Sequence, residues 1–150
     1  MNKKNCGYLF LFFIIFIFDF FSKQWALENC RHTLDITSWL AFAVSLNRGI
    51  SWSLFDSEQP FVFYLLTFLI ASIIAFLIHY TRQRWKKGKS IVGEVFVLAG
   101  ACANLIDRLI HHGVVDFIVI HYKNLIWPIF NIADLAIIIG IIFMVWETYE

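Results

Sequence analysis

FVFYLLTFLIASIIAFLIHY, residues 61–80, carries no formal charge unless His79 is protonated. A bilayer core of about 30 Å needs about 20 apolar residues of helix. This stretch meets that requirement without a break and decides the class of the fold. The rest of the chain agrees with it. Of 150 residues, 60% are hydrophobic and only 15% charged, against about 25% charged in an ordinary soluble domain. A soluble domain of this size could not hide that much apolar surface. Disorder, collagen-like repeats and a secreted disulfide scaffold are excluded, and a net charge of +1 argues against a nucleic-acid partner.

Three further windows qualify as spans, at about 8–27, 91–110 and 129–146. The expected fold is an all-α membrane protein: four transmembrane helices in a single 1–150 domain, with outer segments at about 28–60 and 111–128. Lys3, Lys4, Arg82, Arg84, Lys86, Lys87 and Lys89 fall on one side of this arrangement. Lys23, Arg31, Arg48, Arg108 and Lys123 fall on the other, mostly interleaved with acids. The positive-inside rule then puts both termini in the cytoplasm. Trp25, Tyr80, Trp85, Tyr122, Trp127 and Trp146 sit where an aromatic belt would. The first span has no small-x-small cleavage site and reads as a retained helix.

The outer segments carry a different periodicity. Over residues 33–46, Leu34, Ile36, Leu40, Phe42, Val44 and Leu46 share one parity, which predicts a strand with one greasy face. Asn47-Arg48-Gly49 breaks it, and alternation resumes at Ile50, Trp52 and Leu54. Residues 114–120 are β-branched and predict a second strand. Gly113 suits the C-cap of the third helix and Pro128 the first turn of the fourth. A small outer β-sheet or cradle is expected.

Charges inside a bilayer are costly and mark candidate sites. Asp19, Lys23, Asp107, Arg108 and Asp134 lie toward the outer ends of their spans, with Asp116 just beyond. Four segments therefore bring polar groups to one depth. Asp19 and Lys23 are spaced i,i+4 and can neutralise each other; alternatively Lys23 reaches a lipid phosphate or a substrate carbonyl. Asn104 and Asp107, like Asn131 and Asp134, are spaced i,i+3, so each amide shares a face with a carboxyl. Asp107 and Arg108 are adjacent, need different partners, and read as scaffold. Asp116 and Asp134 have no basic residue within four positions. Two such carboxyls can share one proton and activate a water, as aspartic peptidases do. His111, His112, Asp116 and His121 could ligate zinc, but adjacent histidines point apart in any regular element, and no metal or cofactor is expected. Cys6, Cys30 and Cys102 show no metal spacing. A proton-coupled transporter or channel subunit is the rival reading, although its acids would sit nearer the midplane.

The sequence resembles the bacterial lipoprotein signal peptidases (signal peptidase II). The resemblance rests on Asp19-x-x-x-Lys23, Asn47-Arg48-Gly49-Ile50-Ser51-Trp52, Asn104-Leu105-Ile106-Asp107-Arg108, Val115-Asp116-Phe117-Ile118 and Phe130-Asn131-Ile132-Ala133-Asp134. It implies a catalytic pair, Asp116 and Asp134, supported by Asp19, Lys23, Asn47, Arg48, Gly49, Asn104, Asp107, Arg108 and Asn131. It implies a diacylglyceryl-modified prolipoprotein as substrate, membrane lipids as surroundings, a monomer, and an active site near the periplasmic surface of the inner membrane. Leu46, Trp52, and Ala99 and Ala103 in place of glycines depart from the family pattern; the dyad positions do not.

Overall fold

The computed structural model describes residues 3–49, 59–123 and 125–149. Among them the order is α1 (Lys3–Asn29), β1 (Leu34–Asp35), β2 (Leu40–Asn47), α2 (Pro60–Lys86), α3 (Val92–His111), β3 (Val114–Tyr122), β4 (Leu125–Ile126) and α4 (Ile132–Tyr149). The expectation for Ile50, Trp52 and Leu54 lies outside the described residues.

Asn5–Asn29, Pro60–Lys86 and Ile132–Tyr149 are long and apolar enough to cross a membrane. Their outer faces are greasy: Phe10, Phe68 and Phe76 are about 70% exposed (68%, 72% and 70%). In water such surfaces would aggregate, whereas lipid tails cover them at no cost. α3 differs. It carries Glu94, Asp107 and Arg108, all buried, and it packs against α1, α2 and α4. Enclosed by three neighbours, it keeps that charge away from lipid. The helices overrun the apolar windows, because backbone hydrogen bonding continues past the point where side chains turn polar. α2, for example, opens on Pro60 and closes on Arg84 and Lys86, matching its first-turn geometry and its dipole.

Small residues let α3 and α4 touch backbone to backbone. A Cβ on Gly93 would lie 2.8 Å from the Gly140 carbonyl oxygen, and one on Gly140 would lie 2.6 Å from that of Gly93. Gly100 stands equally hard against the Ala133 carbonyl. Ala99 and Ala133 beside it are fully buried. This is the close approach that small residues permit between membrane helices.

The sheet is antiparallel, in the order β1-β2-β3-β4. Residues 33–46 form a hairpin rather than the single strand expected. β1 pairs with β2 in the register Leu34↔Phe42 and Asp35↔Ala41. Thr37 makes the turn: its Oγ1 accepts from the Leu40 N–H at 3.0 Å, while the Ile36 and Thr37 N–H groups donate to the Leu40 carbonyl. A threonine hydroxyl competing for backbone donors turns a chain that alternation alone would leave extended. A register shift between Phe42 and Ser45 then rotates the parity of β2. Phe42 and Val44 pack on Ala26, Cys30 and Phe117, which seats the sheet on the end of α1.

Two cap expectations are corrected. His112, not Gly113, takes the left-handed conformation that ends α3 (φ 54°). Gly113 is needed for proximity instead, since a Cβ there would meet Leu46 Cγ at 2.7 Å. Pro128 does not open α4. Residues 129–131 run on from the sheet, with Phe130 bridging Ile118 through N–H···O bonds of 2.8 and 3.2 Å. The helix begins at Ile132.

Candidate active site

α1 and α4 present polar side chains at the same end of the bundle as the C-terminus of α3, and the sheet closes over that end. Lys23 is the hub. It is 2% exposed, and its ammonium meets Asp19 Oδ2 at 2.7 Å, Asn104 Oδ1 at 2.8 Å and Asp107 Oδ2 at 2.9 Å. Three donors thus find three acceptors, the saturation a buried ammonium requires. Each partner then reaches beyond its own helix, to α4 or to β3. Asp19 Oδ1 accepts from the Ala133 N–H at 2.7 Å, capping a free donor of α4 from across the bundle. Asp107 Oδ2 also accepts from the Val115 N–H at 3.1 Å, which fixes the start of β3. Asn104, its oxygen committed to Lys23, turns its amide to Asp134 Oδ1 at 2.9 Å.

The two Asn-x-x-Asp units do different jobs. Asn131 and Asp134 form a reciprocal cap. The Asp134 N–H donates to Asn131 Oδ1 at 2.9 Å, and the Asn131 N–H donates to Asp134 Oδ2 at 3.2 Å. That is a capping box with Asp in place of Glu. It holds Asp134 in the first turn of α4, one turn earlier than the sequence suggested, at the positive end of the helix dipole. The amides also cross over between segments. Asn104 sits on α3 beside Asp107 yet orients Asp134. Asn131 sits beside Asp134 yet donates to Asp116 Oδ1 at 2.7 Å.

Asp116 comes from β3, where β2 runs alongside in the register Ser45↔Asp116 and Asn47↔Val114. The diagonal position puts Asn47 on the same face, and its amide donates to Asp116 Oδ2 at 3.0 Å. All four carboxyl oxygens of Asp116 and Asp134 are therefore held by one donor each. Both residues line one cavity of about 400 Å³, together with Asn47, Asn104 and Arg108. Asp116 is 3% exposed. Burial, and then the negative charge of Asp134, push its carboxyl up to about 7, against the pull of Asn47, Asn131 and Lys23.

Arg108 also lines the cavity and donates to the carbonyls of Arg48, at 3.1 Å, and Gly49. Arg48 therefore enters the site through its backbone, while its side chain is exposed. The remaining wall was not anticipated from the sequence. Ile70, Ala101, Ile137 and Ile138 are on its apolar side, and Trp127, Pro128, Ile129 and Phe130 line it from the segment before α4. Apolar residues in an apolar sequence leave no signal to find. His112 lies against the Phe63 ring, 6.2 Å between centroids. Cys30 is buried with Ala26 and Phe117, away from Cys6 and Cys102.

Fold and cavity together define a membrane-embedded protein with two carboxyls presented to a largely apolar chamber. Residues 11–150 match the family model described as signal peptidase (SPase) II. The chain is 38% identical to the lipoprotein signal peptidase of Rickettsia conorii over 139 residues, 89% of this chain and 68% of that protein. It is 32% identical to the one from Cellvibrio japonicus over 140 residues, 91% of this chain and 82% of that protein. A bacterial membrane enzyme solved by the in meso method at 2.3 Å resolution has the same fold. Its TM-score is 0.72 at 24% identity, over 95% of this chain and 87% of that one. The chain belongs to the signal peptidase II family and is a membrane peptidase.

Proposed function

We propose that this peptidase is an aspartic endopeptidase whose dyad is Asp116 and Asp134, and that it removes the signal peptide of a diacylglyceryl-modified prolipoprotein just before the lipidated cysteine. One observation carries the reading. Two carboxyls from distant segments face one cavity, each oxygen held from behind by an amide or backbone donor. One proton is shared between them. The ionised carboxyl takes a proton from water as its oxygen attacks the scissile carbonyl carbon, and the protonated one polarises the carbonyl oxygen. Collapse of the tetrahedral species breaks the C–N bond, and the departing amine receives the proton. A carboxylate and a new amino terminus result. Asn47, Asn104 and Asn131 act as positioning residues that keep the carboxyls preorganised.

The substrate assignment follows the family names together with the shape of the cavity. Ile70, Ala101, Ile137 and Ile138 would lie against an apolar chain while the scissile bond meets the carboxyls. In this reading α3 is a fourth, central span. The positive-inside rule places the Arg82–Lys89 stretch and both termini in the cytoplasm of the inner membrane, and the dyad near the periplasmic face. Purified protein is expected to cleave a lipid-modified precursor and to spare the same precursor without its diacylglyceryl group; equal cleavage of both would remove the substrate assignment.

pH dependence follows from Asp116. A raised carboxyl keeps its proton until about pH 7. Above that the dyad loses its acid, and well below it the dyad loses its base. kcat/KM is expected to be bell-shaped, with an alkaline limb centred near pH 7 that reports the pair rather than one residue. The same sign applies to stability. Relative to the unfolded chain, the raised group favours the fold at low pH, and that contribution is lost as pH rises through about 7. A rate that stays flat from pH 6 to pH 9 would contradict the shared proton.

A further inference from the structure

The larger cavity, about 840 Å³, lies at the other end of the bundle, between the start of α1 and the α2–α3 turn. Asn5, Gly7, Tyr8 and Leu11 line it from α1; Trp85, Lys86, Gly88, Lys89, Ser90 and Val92 line it from the turn. Its rim is built. The Trp85 indole N–H donates to Asn5 Oδ1 at 3.1 Å, which joins the two walls. The turn is wound tightly by Gly88 (φ 72°), by the Gly88 N–H to the Trp85 carbonyl at 2.9 Å, and by the Lys89 N–H to the Arg84 carbonyl at 3.2 Å.

Charge separates along this turn. The Arg84 guanidinium is neutralised by buried Glu94 at 2.5 Å and by Glu147 at 2.6 Å, and it fixes the Ser90 carbonyl at 3.1 Å. Lys86 and Lys89, on the rim, are exposed, and among the described residues no carboxylate pairs with either. Below the rim, half-buried Leu11 of α1 supplies an apolar wall. A basic mouth, an interfacial tryptophan and an apolar wall below match a lipid with an anionic head. The volume lies within the range of small-ligand sites.

We propose that this cavity binds the phosphodiester headgroup of an anionic phospholipid of the cytoplasmic leaflet, with Lys86 and Lys89 as its charged contacts. The assignment needs only the orientation of the helices, not the chemistry at the opposite end. Gly7 supplies an independent lever, because a Cβ there would meet nothing within 4 Å. A leucine at this position can project into the chamber without disturbing packing, and it favours helix.

The full chain in detergent is titrated with phosphatidylglycerol, phosphatidylcholine and inorganic phosphate, with binding read by native mass spectrometry. Phosphatidylglycerol is expected to bind well ahead of the other two. Each lysine removed should weaken it about fivefold, so Lys86→Gln with Lys89→Gln should cost about 25-fold. Gly7→Leu should abolish binding while the lipid-free melting temperature holds. Arg82→Gln with Lys87→Gln removes the same charge from exposed residues outside the cavity and should cost far less. Equal losses in the two double variants, unchanged binding in Gly7→Leu, or phosphate binding as tightly as the lipid would each overturn the proposal.

Discussion

Asp116→Asn and Asp134→Asn are each expected to lower kcat for cleavage of a lipid-modified precursor by on the order of 10³-fold or more, to the limit of detection. The shapes barely change, so the chain should still insert and fold. The cost to stability is local. Asn47 and Asn131 both donate to Asp116, and an amide offers one acceptor oxygen where the carboxyl offers two. One neighbouring donor must turn away, for about 1–3 kcal/mol. The same holds at Asp134, where Asn104 and the Asn131 backbone both donate. Because the two carboxyls act as a unit, the double variant should be no slower than either single one. Turnover measured beside a melting curve separates lost chemistry from lost fold. Wild-type activity in either single variant would end the dyad assignment.

The sequence carried the membrane class, the helix locations and the short β-branched strand because these depend on signals local to each segment. It misplaced features that depend on a distant partner. Phe130 and its neighbours read as the start of a helix, since Pro128 and the following apolar run favour one. β3 takes that backbone instead by pairing Ile118 with Phe130. Asn131-x-x-Asp134 looked like a shared helix face and proved to be a capping box, a distinction set by where the helix begins. Of the site, the polar residues were legible because a charge or amide in an apolar chain has no other reason to be there. Their cross-connections were not: nothing local says that Asn104 serves Asp134, or Asn131 serves Asp116. Arg84, Glu94 and Glu147 belong to this class as well. Arg84 looked like one of several positive-inside residues, yet it forms an ion triad across three helices around buried Glu94.

Lys23→Met is expected to be the most destabilising single change in the chain. The methionine fills much of the same volume, so packing is nearly kept and the loss is electrostatic. Asp19 and Asp107 each meet the Lys23 ammonium within 3 Å, at 2.7 and 2.9 Å, and without it both carboxylates face each other unpaired in the bundle. Removing one partner of a buried pair costs roughly 3–5 kcal/mol, because the stranded charge has neither water nor counter-ion. Asp19 would then hold the Ala133 N–H, and Asp107 the Val115 N–H, from positions they no longer prefer. The start of α4 and the start of β3 should loosen together, taking Asp134 and Asp116 with them. Adding Asp107→Asn to Lys23→Met removes one stranded charge and should recover part of the stability without restoring cleavage, since Asn104 keeps only the longer of its two donors, the Asn131 amide at 3.2 Å, to turn its own amide toward Asp134. Lys23→Arg should not rescue either property: a planar guanidinium cannot converge on three acceptors around a point that receives an ammonium. Chemical unfolding in micelles, run as a double-mutant cycle over Lys23 and Asp107, measures the coupling directly. A coupling energy near zero would mean the ammonium is held by solvent rather than by these carboxylates, and the hub would not be a hub.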